Sequence, residues 1–288
     1  MNLVEIWSRK YKLWLAFSIA LLLFSLLYIS IFYARNGELF YKDTSLTGGT
    51  VLTVYEAGDI TAIETNLKQK FPDVAVRAIS DLTTGKQIAF SIETSADPDA
   101  LKKELAAEGY NITEANSSTE FTGSVLSQGF YRSLLVALLI AFVLMAIVVF
   151  ALFKTIIPSL AVIQAAITDT TFPLAVMNIL GMRVSTAGIA ALLMLIGYSV
   201  DTDIMLTNRV LKRKEFPLLK RISDSAKTGL TMTLTSLFAV FSAYFFAISP
   251  VLKQVFFILS VGLATDIIST WFGNAGILKW WCDRHKIE

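Results

Sequence analysis

A chain of 288 residues that is 55% hydrophobic, carries 20 Phe, is only 17% charged and has a mean hydropathy of +0.61 lies far from the soluble average of ~25% charged residues. It reads as an integral membrane protein. Its net charge of +2 says little by itself, but the inventory excludes much. One Cys, Cys282, excludes an internal disulfide, and one His, His285, excludes a multi-His metal site. No G-x-x-x-x-G-K-[ST] phosphate loop occurs, so nucleotide hydrolysis by that route is excluded. No enzyme is expected and no cofactor; work done here would draw on an ion gradient.

In chain order, apolar runs of about 20 residues, the length that crosses a ~30 Å hydrocarbon core, fall near 13 to 33, 134 to 153, 156 to 180, 184 to 207, 229 to 249 and 254 to 279. Trp7, Trp14, Trp280 and Trp281 stand near the ends of these runs, where amphipathic rings favour the headgroup layer. The first run lacks a small-residue cleavage site and reads as a retained anchor. The division that follows is 1–35 for the N-terminus and first span, 36–128 for a water-soluble domain and 129–288 for a five-helix membrane region. Residues 36 to 128 hold 14 of the 23 acidic residues. Their pattern is strand-like over Thr50 to Glu56, helix-like over Asp59 to Phe71, and strand-like over Val74 to Ser80 and Lys86 to Glu93. A further helix over Asp97 to Glu108 and a strand over Asn111 to Glu120 complete a βαββαβ, ferredoxin-like unit. Asp97-Pro98 starts the second helix and Gly109 closes it, while Asp81 to Gly85 supplies the turn between the middle strands. The half-apolar stretch Thr122 to Ser133 is expected at the outer membrane surface.

Basic residues set the orientation, because short loops rich in Lys and Arg stay cytoplasmic. Arg9, Lys10 and Lys12 lie before the first span, seven Lys and Arg from Arg209 to Lys227 follow the fourth, and Lys279, Arg284 and Lys286 close the chain; the opposite side offers only Arg183 and Lys253. Both termini are thus expected inside the cell membrane and the soluble domain outside. Topology accounts for the basic loop, so no nucleic-acid partner is expected. Cys282 and His285 read as solvent or interface residues of the cytoplasmic tail.

Four acids interrupt the apolar runs: Asp169, Asp201, Asp203 and Asp266. A charge at bilayer depth costs at least ~2.5 kcal/mol, so such residues point to an ion or proton path. A carboxyl there holds a proton unless water or a cation stabilises its charge. Pro173 removes the hydrogen bond that the Asp169 carbonyl would accept, and Thr168, Thr170 and Thr171 could re-satisfy that backbone or line water. Asp266 lies on a stripe with Gly262, Ser269, Thr270 and Gly273, small residues that permit close helix approach. Asp201 shares a face with Gly197 and Asn208, Asp203 points ~200° away, and Arg209 can snorkel outward or pair with a carboxylate. Gly48-Gly49-Thr50 is by itself only a turn signal opening a strand.

A single anchor, Gly48-Gly49-Thr50 before an outer βαββαβ domain, five further spans, a mid-membrane Asp169 and Ile196-Gly197-Tyr198-Ser199-Val200-Asp201-Thr202-Asp203 ending the fourth span together resemble the SecF family of protein-export membrane proteins. The resemblance covers essentially the whole chain. Departures are Asp201-Thr202-Asp203 where the bacterial pattern has Asn-Asp-Thr, Asn208-Arg209 for Asp-Arg, and Ser45 in place of the Asp usual before the glycines, an archaeal-like variant. The resemblance implies one half of a resistance-nodulation-division architecture, paired with SecD beside the Sec translocon channel and acting on translocating unfolded polypeptides. It implies a proton or sodium gradient as the energy source, with Asp169 on the ion path and Arg209 as a charge partner. Two other readings stay open: half of a proton-driven small-molecule or lipid exporter of the same superfamily, and a passive assembly scaffold.

Overall fold

Residues 3–81, 84–212 and 216–285 of the computed structural model are described below. A long run without Gly or Pro makes α1 (Leu3–Asn36) one continuous helix. At its end Gly37, at φ +72°, takes the left-handed conformation that only glycine adopts freely. The short helix α2 (Thr44–Thr47) follows, capped by Asp43, and then the sheet unit: β1 (Gly49–Val54), α3 (Ile60–Lys68), β2 (Ala75–Ser80), β3 (Gln87–Thr94), α4 (Pro98–Ala107) and β4 (Ser117–Thr122). The strands form one antiparallel sheet in the order β2-β3-β1-β4. Alternation along β1 and β3 sends Leu52, Val54, Phe90 and Ile92 to one face, where Ile63 and Leu67 of α3 and Leu101 and Leu105 of α4 cover them.

Local chemistry sets the element ends. Asp59 accepts from the amides of Thr61 and Ala62 at 3.0 and 3.2 Å, and Asp97 from that of Asp99 at 3.0 Å, each satisfying N–H groups that the first helical turn leaves open. Gly109, at φ +95°, ends α4; its amide reaches Ala106 O and that of Tyr110 reaches Leu105 O, the paired closure that a left-handed residue permits. The last strand starts at Ser117 and not at Asn111. Asn116 explains the difference: it accepts from the Thr113 amide at 2.7 Å and donates to Asn111 O at 2.7 Å, folding 111–116 into a turn. Of the turn between β2 and β3, Leu82 and Thr83 lie outside the described residues; Asp81 accepts from the Thr84 amide at 2.9 Å.

The membrane region comprises α5 (Ser124–Phe153), α6 (Ile156–Ile179), α7 (Thr186–Lys212), α8 (Leu218–Phe246), α9 (Pro250–Ile268), a π-helical segment over Ser269–Asn274, and α10 (Ala275–His285). Among the described residues, six helical stretches are long and apolar enough to cross a membrane, the last running from Pro250 to His285 through the π segment. The chain is a multi-pass membrane protein. Residues 124–133 form the first turns of α5: Gly123 sits at its N-terminal end, so β4 passes directly into the helix. Arg213 and Lys214 of the basic loop and Lys286 lie outside the described residues. Cys282 is not a tail residue in solvent. Because α10 prolongs the last span, the thiol is buried beside Leu206, Val210, Ile222 and Leu278, while His285 is exposed and stacks on Trp281 at 4.5 Å.

Close packing positions the last span. A Cβ on Gly262 would collide with Leu195, one on Gly229 with Trp271, and one on Gly273 would stand 2.5 Å from Ser18 Oγ. These glycines let α7, α8 and α1 approach the helix closely enough for its polar side chains to reach theirs.

Candidate functional site

Three carboxyls meet inside the bundle. Asp169 lies near the middle of α6, Asp203 on α7 and Asp266 near the end of α9, and all are buried. Each is held by hydroxyls or an amide from a neighbouring helix. Ser199 Oγ of α7 donates to Asp169 Oδ2 at 2.5 Å, and Ser269 Oγ of the π segment to Oδ1 at 2.6 Å. Thr270 Oγ1 lies 2.9 Å from Asp203 Oδ1 and 3.1 Å from Asp266 Oδ1. Asn274 Nδ2 donates to Asp203 Oδ1 at 2.8 Å, and Thr233 Oγ1 of α8 to Asp266 Oδ2 at 3.2 Å.

Two features of this arrangement have chemical consequences. No Lys, Arg or His forms an ion pair with any of the three among the described residues, so three full charges in this apolar setting would be uncompensated. Acceptors also outnumber donors: Asp203 Oδ2 and Asn274 Oδ1 are buried without a hydrogen-bond partner among the described residues. Thr270 has a single hydroxyl hydrogen for two carboxyl contacts, and the second contact is satisfied when a carboxyl brings a hydrogen of its own.

The helices dictate this convergence. Successive residues rotate ~100° about a helix axis, so Ser199, Asp203 and Thr207, four apart, face inward, as do Asp266, Thr270 and Asn274. Asp201, two residues from Asp203, turns the other way; it is exposed on the outside of the bundle with Gly197 and Tyr198 and takes no part in the cluster. Nor does Arg209. It lies ~9 Å further along α7 and its guanidinium turns to α8, donating to Asp224 O and Thr228 Oγ1 at 3.1 Å each. The three threonines beside Asp169 do not re-satisfy the carbonyl freed by Pro173, for Thr168, Thr170 and Thr171 bond to the carbonyls of Gln164, Ala166 and Ile167 in the preceding turn. Ser25 of α1 meets Thr171 Oγ1 at 2.9 Å, a contact nothing in the local sequence signals. Asn274 and Thr207 extend the four-residue spacing of Asp266-Thr270 and Asp203, a pattern that could have found them.

The Gly48-Gly49-Thr50 motif lies in the sheet unit, away from the carboxyls. Gly48 ends α2 at φ +86°. Gly49, at φ +137°, runs so close to the Thr94 carbonyl that a Cβ would overlap it, and Thr50 Oγ1 donates to Ala96 O at 2.6 Å. Just upstream, residues 39–45 stitch the sheet unit to the turn between α6 and α7. Asn178 Nδ2 donates to Leu39 O at 3.0 Å, the Val184 amide to Tyr41 O at 2.7 Å, the Asp43 amide to Val184 O at 3.0 Å and the Thr186 amide to Ser45 Oγ at 3.1 Å. The turn itself is locked by Gln254 of α9, which accepts from the Ser185 amide at 2.9 Å and donates to Arg183 O.

The family model of the C-terminal part of the protein export membrane proteins SecD/SecF matches residues 102–284. Curated relatives named protein-export membrane protein SecF include one from Methanocaldococcus jannaschii, 36% identical over 97% of this chain and 99% of that protein, and one from Pyrococcus furiosus, 34% identical over 86% and 83%. Among solved structures, SecDF from Thermus thermophilus, described as a translocon-associated membrane protein, superposes with a TM-score of 0.74 at 19% identity; it covers 99% of this chain, which spans 40% of the SecDF chain. A SecDF structure in a super-membrane-facing form gives 0.62 at 22% identity over 93% of this chain and 38% of that one. By sequence along nearly its whole length, and by fold, the chain belongs to the SecF branch of the SecD/SecF family of protein-export membrane proteins.

Proposed function

We propose that this chain is an accessory subunit of Sec-dependent protein export, paired in the cell membrane with a SecD partner beside the translocon channel, its termini in the cytoplasm and its sheet unit outside. Protons, or sodium ions in their place, pass by way of Asp169, Asp203 and Asp266, and the resulting helix shifts move the outer unit against an emerging unfolded polypeptide. The carboxyl cluster with no cation ion-paired to it among the described residues is the observation that carries this reading. A permanent strut would be neutralised by a basic partner; a carrier must change its charge. The stitched contacts between residues 39–45 and the turn joining α6 to α7, the two helices that supply Asp169 and Asp203, support a mechanical route outward.

Two further observations support the partners. Asp201, exposed on a span, costs at least ~2.5 kcal/mol against hydrocarbon, a cost relieved when a partner covers the α7 face that includes Tyr198. The edges β2 and β4 each pair on one side only, leaving backbone groups that an extended polypeptide can join as an added strand. The test is purification from native membranes in mild detergent, with a photo-crosslinker at Tyr198 and another at Phe121 on β4. The reading expects SecD captured at Tyr198 and a translocating chain captured at Phe121; a chain recovered alone, with neither crosslink, would overturn it.

A further inference from the structure

Where the outer unit meets the bundle, a cleft of about 360 Å³ opens between the edge strand β2 and the outer ends of α8 and α9. Its walls carry three basic side chains, Arg77, Arg183 and Lys253. Arg77 is engaged with Glu93 at 3.2 Å, and Arg183, whose charge also faces Glu93, spends one N–H on Asp73 O at 3.1 Å, leaving further donors on its fork. Lys253 forms no ion pair among the described residues. It sits in the first turn of α9, whose cap residue Ser249 makes no side-chain hydrogen bond to the helix, so the positive end of the helix adds to the same field.

Tyr244 lines this cleft and also a second, almost wholly apolar groove of about 690 Å³ between α8 and α9. That groove descends past Phe241, Phe257 and Phe238 to Leu234 and Ala264. From residue 244 to residue 234 the helix covers ~15 Å, which is one leaflet of a ~30 Å hydrocarbon core. A basic pocket thus adjoins, through Tyr244, an apolar groove whose α8 wall is one leaflet long. A partner helix would cover the span over its whole length and has no need of the basic pocket.

We propose that the joined cleft and groove form a binding site for an anionic phospholipid of the outer leaflet, with its phosphate against Arg183 and Lys253 and one chain along Phe238, Phe241 and Phe257. The lipid wedges beneath β2, where it ties the sheet unit to α8 and α9. This site is separate from the carboxyl cluster and stands whether or not that cluster carries ions.

The full chain is purified in mild detergent, and lipid retention is read by native mass spectrometry with phosphatidylglycerol and phosphatidylcholine of identical chains. Phosphatidylglycerol should be retained in preference. Lys253→Gln should weaken its retention about five-fold, the weight of one basic side chain at an anionic surface, without affecting phosphatidylcholine. Ala264→Phe, which fills the groove from an exposed position, should reduce retention of both. Equal retention of the two lipids, an unchanged Lys253→Gln variant, release of phosphatidylglycerol by inorganic phosphate alone, or a crosslink from Phe238 to a partner span would each overturn the proposal.

Discussion

Thr270 touches two carboxyls, Asp203 and Asp266, at 2.9 and 3.1 Å, and its loss should be felt by both. Thr270→Val keeps the shape but strands buried acceptors, at a cost of about 1–3 kcal/mol; Thr270→Ser should restore most of it, and the midpoint of thermal unfolding in detergent reads the difference. At the outer junction Glu93 provides a pH-dependent test. Burial first, then the neighbouring negative charge of Asp43, push its carboxyl from the ordinary 4.5 up to about 7, against the opposing pull of Arg77 and Arg183. An acid whose folded pKa is raised stabilises the fold fully below its unfolded value and loses that contribution as pH rises through the folded one. Thermal stability should therefore decline between 4.5 and about 7, and Glu93→Gln should remove that part of the decline; a variant that declines as the wild type does would show that Glu93 is not its source. The buried acids Asp169, Asp203 and Asp266 were legible in the sequence as charges inside greasy runs. Asp201 looked the same there and differs only in the direction it faces, which the rotation of a helix fixes but the fold alone turns outward or inward. Arg209 was ambiguous for a related reason: a flexible side chain at a helix end is placed by whichever neighbour offers acceptors, here Asp224 O and Thr228.

At the scale of elements, the π segment Ser269–Asn274 interrupts the last span where Ser269, Thr270 and Asn274 address all three carboxyls. Such insertions occur frequently at functional sites, but no residue type announces them. The glycines around it were readable as a close-packing stripe, and the structure shows what each meets. Gly273→Leu should force Ser18 and α1 away, costing about 1–3 kcal/mol by overpacking, whereas the same change at Gly129, where a Cβ meets nothing within 4 Å, should have little effect on the unfolding midpoint. Equal losses at the two positions would contradict this packing. The spans and the βαββαβ order were accessible from hydropathy and capping residues. The late start of β4 was not, because Asn116 makes its turn with partners three and five residues away, and propensity does not report such side-chain bonds.

For the whole molecule, residues 39–45 against 178–186 join the carboxyl-bearing helices to the sheet unit, with Gln254 fastening the turn between α6 and α7. None of these contacts is written in local sequence; they arise only once α1, α6 and α9 end at the same membrane surface. The account as a whole stands on Asp169 carrying an ion. Asn at that position keeps the volume and, because the hydroxyls of Ser199 and Ser269 can rotate to meet an amide, keeps the fold while losing the titratable group. The deciding measurement is gradient-dependent export into membrane vesicles holding wild-type protein or Asp169→Asn, with expression and SecD co-purification matched between the two. The account predicts that Asp169→Asn abolishes the part of export that a protonophore or a sodium ionophore removes from the wild type. Export by Asp169→Asn that responds to the gradient as the wild type does would contradict it.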